Sequence, residues 1–143
     1  MSVPLDRPLY GATFGQAISR LFANYVKFSG RASRSEFWWA YLFAWILMVI
    51  GLALTLTMAS PHVDPSTGQL IEDPASTLFR VIFAIAAVVI FIPQLAVTWR
   101  RFHDTDRSGG SFFISLVPFV GGILLLVWLA FGSNPAGARF DRV

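Results

Sequence analysis

Residues 37–59, FWWAYLFAWILMVIGLALTLTMA, run for 23 positions without a charged side chain. At about 1.5 Å per residue a helix of that length reaches roughly 34 Å, enough for a hydrocarbon core of about 30 Å. Apolar residues occupy every face, unlike the one-sided pattern of a helix on a soluble protein. In lipid the backbone must satisfy its own hydrogen bonds, so such a run is helical. Two more charge-free runs follow, VIFAIAAVVIFIPQLAVTW at 81–99 and FFISLVPFVGGILLLVWLAF at 112–131. Spans are therefore predicted near 37–59, 79–99 and 111–131, and the expected fold class is an all-α membrane protein. The first run starts too far into the chain and is too long for a signal-peptide core, so it reads as an uncleaved anchor.

Composition agrees. The chain has 143 residues, 55% hydrophobic and only 13% charged, with a net charge of +3. A typical globular domain carries roughly 25% charged residues. A soluble domain this small has too much surface to cover with so few. Disorder is excluded for the converse reason, the chain being rich in apolar residues. No cysteine is present, which excludes disulfides, thiolate zinc sites, iron–sulfur clusters and a cysteine nucleophile.

The distribution of Lys and Arg sets the expected orientation. Five lie before the first run (Arg7, Arg20, Lys27, Arg31, Arg34), and only Arg80 lies in the loop 60–80. Arg100, Arg101 and Arg107 lie between the second and third runs, and Arg139 and Arg142 in the tail. With three spans and the N-terminus inside, eight fall inside and three outside, the preferred sense. The first loop, with Asp64, Glu72, Asp73 and Pro61, Pro65, Pro74, reads as irregular and external. Pro118 and Gly121-Gly122 interrupt the third run. A re-entrant hairpin there would return the tail to the cytoplasm and improve the charge count, whereas length and the cost of lipid-exposed backbone favour a full crossing.

Ahead of the first span, Phe14, Ala17, Ile18, Leu21, Phe22, Tyr25 and Val26 follow the rhythm of one helical face. The spacing predicts an amphipathic helix over 13–28, opened by a Thr13–Gln16 capping box, with Arg20 and Lys27 off the apolar stripe. It is expected to lie at the membrane interface, or to pack as a collar on its own spans. Residues 1–36 thus form a cytoplasmic N-terminal segment, and 37–143 the transmembrane domain. Phe37, Trp38, Trp39 and Tyr41 suit an interfacial aromatic belt.

Two polar segments flank the spans on the expected inner side: FSGRASRSEFWW at 28–39 and WRRFHDTDRSGG at 99–110. Ser33 and Glu36 form a second capping box. Charges crowded at a low-dielectric boundary should pair, Glu36 with Arg100 or Arg101, and Asp104 with Arg31 or Arg34. The candidate site is therefore Arg31, Arg34, Glu36, Arg100, Arg101, His103, Asp104 and Arg107. Its readings are a salt-bridged knot that ties the helix ends, an Arg-rich site for phosphate or headgroups, or a titrating His103. A metal held by His103, Asp104 and Asp106 is disfavoured by the surrounding arginines.

These motifs carry a resemblance. FxGRxxRxEFW is matched by Phe28, Gly30, Arg31, Arg34, Glu36, Phe37 and Trp38, and RRLHDxxRSG by Arg100, Arg101, His103, Asp104, Arg107, Ser108 and Gly109, with Phe102 in place of leucine. The chain resembles, over roughly residues 18 to 140, the small bacterial membrane proteins grouped as domain of unknown function 805. Its ending departs from the family's G-x-NRFG, since Gly137-Ala138-Arg139-Phe140 lacks the Asn and the final Gly. The resemblance implies a bacterial inner-membrane location and no established activity.

The spans carry no charge, whereas proton-coupled transporters place ionisable groups at midplane. No nucleophile–base set, P-loop or dinucleotide fingerprint is present. The expectation is not an enzyme but a membrane module without cofactor or metal, whose basic cytoplasmic face engages anionic lipid headgroups or a protein partner. Homo-oligomers fit, and nucleic acid does not. The alternative is a small-solute channel or transporter component, built around the Pro118 break.

Overall fold

The computed structural model describes residues 3–58, 62–71 and 73–141. Ala59, Pro61, Glu72 and Arg142, used in the reading of spans and loops, lie outside the described residues. The chain forms two compact units, residues 44–91 and residues 1–43 together with 92–143. Among the described residues four α-helices run α1 (Phe14–Ala23), α2 (Arg34–Met58), α3 (Pro74–Asp104) and α4 (Gly121–Ala130). Among the described residues only α2 and α3 are individually long and apolar enough to cross a membrane.

The unit 44–91 contains the later turns of α2, the earlier turns of α3 and the connection between them. That connection is not wholly irregular, as the sequence suggested: β1 (His62–Val63) and β2 (Leu70–Ile71) pair antiparallel, with His62 opposite Ile71. Asp64 closes the turn by accepting from Ser66 N–H at 2.8 Å, an Asx turn. Within this unit Gly51 lies directly under the ring of Phe83.

The predicted second span proves longer at both ends. Asp73 acts as its N-cap, accepting from Ala75 N–H at 3.1 Å, and Pro74 takes the first helical position, where a missing N–H costs nothing. The helix continues through Arg100, Arg101 and His103, whose charge density suggested a loop. It stops in a Schellman motif: Arg107 N–H bonds Phe102 O at 2.9 Å, Asp106 N–H bonds His103 O at 3.0 Å, and Asp106 is left-handed at φ 60°.

The third run is not one helix. A 3-10 segment, Gly109–Leu116, gives way at Pro118 and Phe119 (φ 65°) to α4, which starts at Gly121. Proline's missing donor and the two glycines explain the break. The two halves pack on each other, and Arg107, just before the run, lies against Trp128 and Phe131 at its far end. The start and finish of the run thus lie side by side.

The amphipathic helix is also shorter than predicted, ending at Ala23 instead of near 28, where Asn24 caps it. Its Thr13–Gln16 capping box is present in both directions. Both N-caps read from sequence are local devices; in that of α2, Glu36 N–H bonds Ser33 Oγ at 3.2 Å while Ser33 N–H bonds Glu36 Oε2 at 2.8 Å. Phe14 and Phe22 meet Phe43 edge to face, and Phe14 also meets Trp39.

The core of the larger unit joins Leu21, Ala32, Phe37, Ala40, Val97, Phe102 and Leu129. Phe37 therefore does not belong to an outward belt; it is buried, while Trp38, Trp39 and Tyr41 face outward. Gly30 permits the chain to enter α2 at this place. Its φ is +83°, and a Cβ there would sit 2.6 Å from the carbonyl oxygen of Asp6.

Candidate functional site

The two polar motifs meet. Ala32 N–H bonds Arg100 O at 3.1 Å, and His103 Nδ1 lies 3.0 Å from Gly30 O. Around this seam the N-terminal segment, the end of α3, the end of α4 and the tail converge.

Glu36 does not pair with Arg100 or Arg101. Its Oε1 accepts from Arg20 Nε at 2.5 Å, and its Oε2 from the backbone N–H of Ser33 and of Leu9, at 2.8 and 2.9 Å. Arg20, assigned by sequence to the outside of the apolar stripe, is 8% exposed. Its remaining donors bond the carbonyls of Val3, Pro4 and Arg7. The buried face of α1 thus runs Ala17, Arg20, Leu21 and its cap Asn24, a helical spacing that includes two polar residues. A mixed small and polar stripe was the available signal, hidden because burial was equated with apolarity.

Asp104 is fully buried, and its pairing with Arg31 agrees with one of the two partners expected. Oδ1 lies 3.7 Å from Arg31 Nη1 and accepts from the Tyr10 hydroxyl at 3.2 Å. Oδ2 accepts from Arg101 Nη1 and from Ser133 Oγ. Its backbone carbonyl accepts from Asn134 N–H at 2.8 Å.

Arg101 is fully buried and closes α4. Nε donates to Leu129 O at 3.0 Å and Nη2 to Phe131 O. Arg34 Nη1 reaches Ala130 O at 3.5 Å. The last carbonyls of a helix lack internal partners and carry partial negative charge, so guanidinium groups are favourable there. Arg107 completes the set, its guanidinium 5.1 Å from the Trp128 ring centre and 5.3 Å from that of Phe131.

The tail, given no role by sequence, packs against the same seam. Arg31 grips Asp141 with two parallel bonds of 2.7 and 2.6 Å. That hydrogen-bonded carboxylate holds the Arg31 guanidinium above its ordinary value, against the opposing effect of burial. The His103 ring stacks on Phe140 with centres 4.1 Å apart and planes within 4°. Asp106 pairs with Arg139 at 2.9 Å. His103, Asp104 and Asp106, considered together as metal donors, therefore face three different partners.

Arg100 stands apart. It is 1% exposed, and neither its Nε nor its Nη1 has a hydrogen-bond partner among the described residues. It lies within electrostatic reach of Glu36 and of Arg20. Its sequence signal was strong and its expected partner wrong, because Arg20 already occupies Glu36.

This convergence of arginines and carboxylates at one end of two apolar helices can be set beside known proteins. Inner membrane protein YhaI of Escherichia coli (strain K12) is 33% identical over 119 residues, covering 83% of this chain and 86% of that protein. Inner membrane protein YhaH of the same organism is 30% identical over 121 residues, covering 85% and 89%. No solved structure matches the chain. The profile described as "Protein of unknown function (DUF805)" matches residues 25–142, from just before the first polar motif to the end of the tail. The chain is a membrane protein and belongs to the DUF805 family.

Proposed function

We propose that this protein is a non-enzymatic inner-membrane module that binds anionic lipid headgroups through Arg34 and Arg107 on its cytoplasmic face. One observation carries this reading. Of the candidate-site arginines, Arg31 and Arg101 are bonded inside the fold and Arg100 is buried, whereas among the described residues Arg34 and Arg107 meet the carbonyl and rings at the end of α4, and Arg34 is exposed. A guanidinium set among interfacial aromatics keeps its head in the headgroup layer, where anionic lipid attracts each basic side chain by about 1 kcal/mol.

In this reading the N-terminus lies inside, and α1 rests at the interface with Phe14 and Phe22 toward lipid. The third run is re-entrant and brings the tail back to the cytoplasmic side. The adjacency of Arg107 to Trp128 and Phe131 supports that return. A solute path at the Pro118 break would need polar walls, and Val117, Phe119 and Val120 are apolar and outward-facing there.

The test is lipid retention by native mass spectrometry after graded delipidation. The wild type should keep phosphatidylglycerol in preference to phosphatidylethanolamine, and the Arg34→Gln/Arg107→Gln double variant should lose the preference. Equal retention of both lipids by the wild type overturns the reading and leaves a protein partner as the next candidate.

A further inference from the structure

The larger unit buries more positive than negative charge. Among the described residues, Arg20, Arg100 and Arg101 are buried at 8%, 1% and 0% exposure, against Glu36 and Asp104 at 2% and 0%. Four of the five are matched: Arg20 with Glu36, and Arg101 with Asp104. Arg31 does not redress the balance, because Asp141 binds it on two atoms. The unmatched charge is Arg100.

A guanidinium stays protonated in a protein, so it cannot escape burial by losing its charge. Taking an ion out of water costs several kcal/mol unless an opposite charge and hydrogen bonds compensate. Glu36 faces Arg100 electrostatically, but its oxygens already accept from Arg20, Ser33 and Leu9. Arg100 also faces the like charge of Arg20. Among the described residues its Nε and Nη1 therefore have no acceptor, and it has a repulsive neighbour, which is the electrostatic signature of a place for an anion.

We propose that Arg100 anchors an internal anion site that takes one singly charged phosphate group, as free phosphate or as the phosphodiester of a lipid. The group would match the single excess charge, and its oxygens would accept from Nε and Nη1. This site is distinct from Arg34 and Arg107, which lie at the end of α4 and leave their charge toward the surface.

The test uses the full-length protein, delipidated in an uncharged sugar detergent, with thermal unfolding as readout. Sodium gluconate is replaced by sodium phosphate at constant ionic strength, so that screening does not change. In a second arm a short-chain phospholipid is added in gluconate. The wild type should gain roughly 5–10 °C at a hundredfold excess of the bound species over its dissociation constant. A gain in the phosphate arm identifies the free ion as ligand, and a gain with phospholipid alone identifies the headgroup. Arg100→Gln should lose the gain, while Arg34→Gln/Arg107→Gln keeps it, whether or not that double variant still prefers anionic lipid. Should Arg100→Gln fail to fold, Arg100→Lys, which keeps the charge with different donors, should need at least several-fold more ligand for the same gain. No gain in the wild type, or an Arg100 variant with an unchanged dose response, overturns the proposal.

Discussion

The Arg20 guanidinium donates through Nε to Glu36 Oε1 at 2.5 Å, with both side chains shielded from solvent. One bond thus ties the helix ahead of the first span to the first turn of the span itself. Removing one partner leaves the other as an uncompensated buried charge, at a cost of about 3–5 kcal/mol. Glu36→Ala and Arg20→Ala should each lower the unfolding midpoint in detergent. The Arg20→Ala/Glu36→Ala double variant should cost clearly less than the sum of the two. Strict additivity would show that the pair is not energetically coupled.

Arg101 should not tolerate lysine. Its three acceptors, Leu129 O, Phe131 O and Asp104 Oδ2, call on three nitrogens of a planar fork, which a single ammonium cannot reproduce. Hydrogen exchange offers the local readout. In Arg101→Lys, amides of Gly121–Ala130 should exchange about tenfold faster, equivalent to roughly 1.4 kcal/mol of lost local stability, while those of α2 stay unchanged. Uniform acceleration along the chain would count against a capping role.

Two alanine substitutions should move stability in opposite directions. Gly30→Ala places a Cβ against the Asp6 backbone in a left-handed conformation and should cost about 1–3 kcal/mol. Gly15, in the first turn of α1, has nothing within 4 Å of a Cβ, so Gly15→Ala should stabilise by about 0.5–1 kcal/mol. Thermal unfolding of both variants in one detergent checks the signs.

The proposed topology can be read from single cysteines in this cysteine-free chain. With the N-terminus inside and a re-entrant third run, an impermeant thiol reagent applied to intact cells should label Ser66→Cys and spare both Ser108→Cys and Ser133→Cys. Labelling at Ser133 would mean that the third run crosses. Labelling at Ser108 without Ser66 would reverse the whole orientation.

What the sequence disclosed was whatever depended on neighbours along the chain. The charge-free stretch at 37–59 and the boxes Thr13–Gln16 and Ser33–Glu36 are all contained within a few turns, and all were read correctly up to their ends. The Asp73-Pro74 start of α3 is equally local, but it is set in a stretch whose acidic residues and prolines read as loop. Arg20 and Glu36 meet across 16 residues, and Arg31 and Asp141 across 110, so no periodicity could announce them.

The bonds from Arg101 to Leu129 and Phe131 also order events during synthesis. Chains are made from the N-terminus, so Arg101 is joined to the chain 28 residues before the first of these carbonyl acceptors. Until then it has Asp104, three residues away, and no helix end to close. The nascent protein therefore carries an unfinished ionic lock until its final hydrophobic segment arrives. A translation product truncated before Leu129 would present that open lock to the proteases that police the membrane.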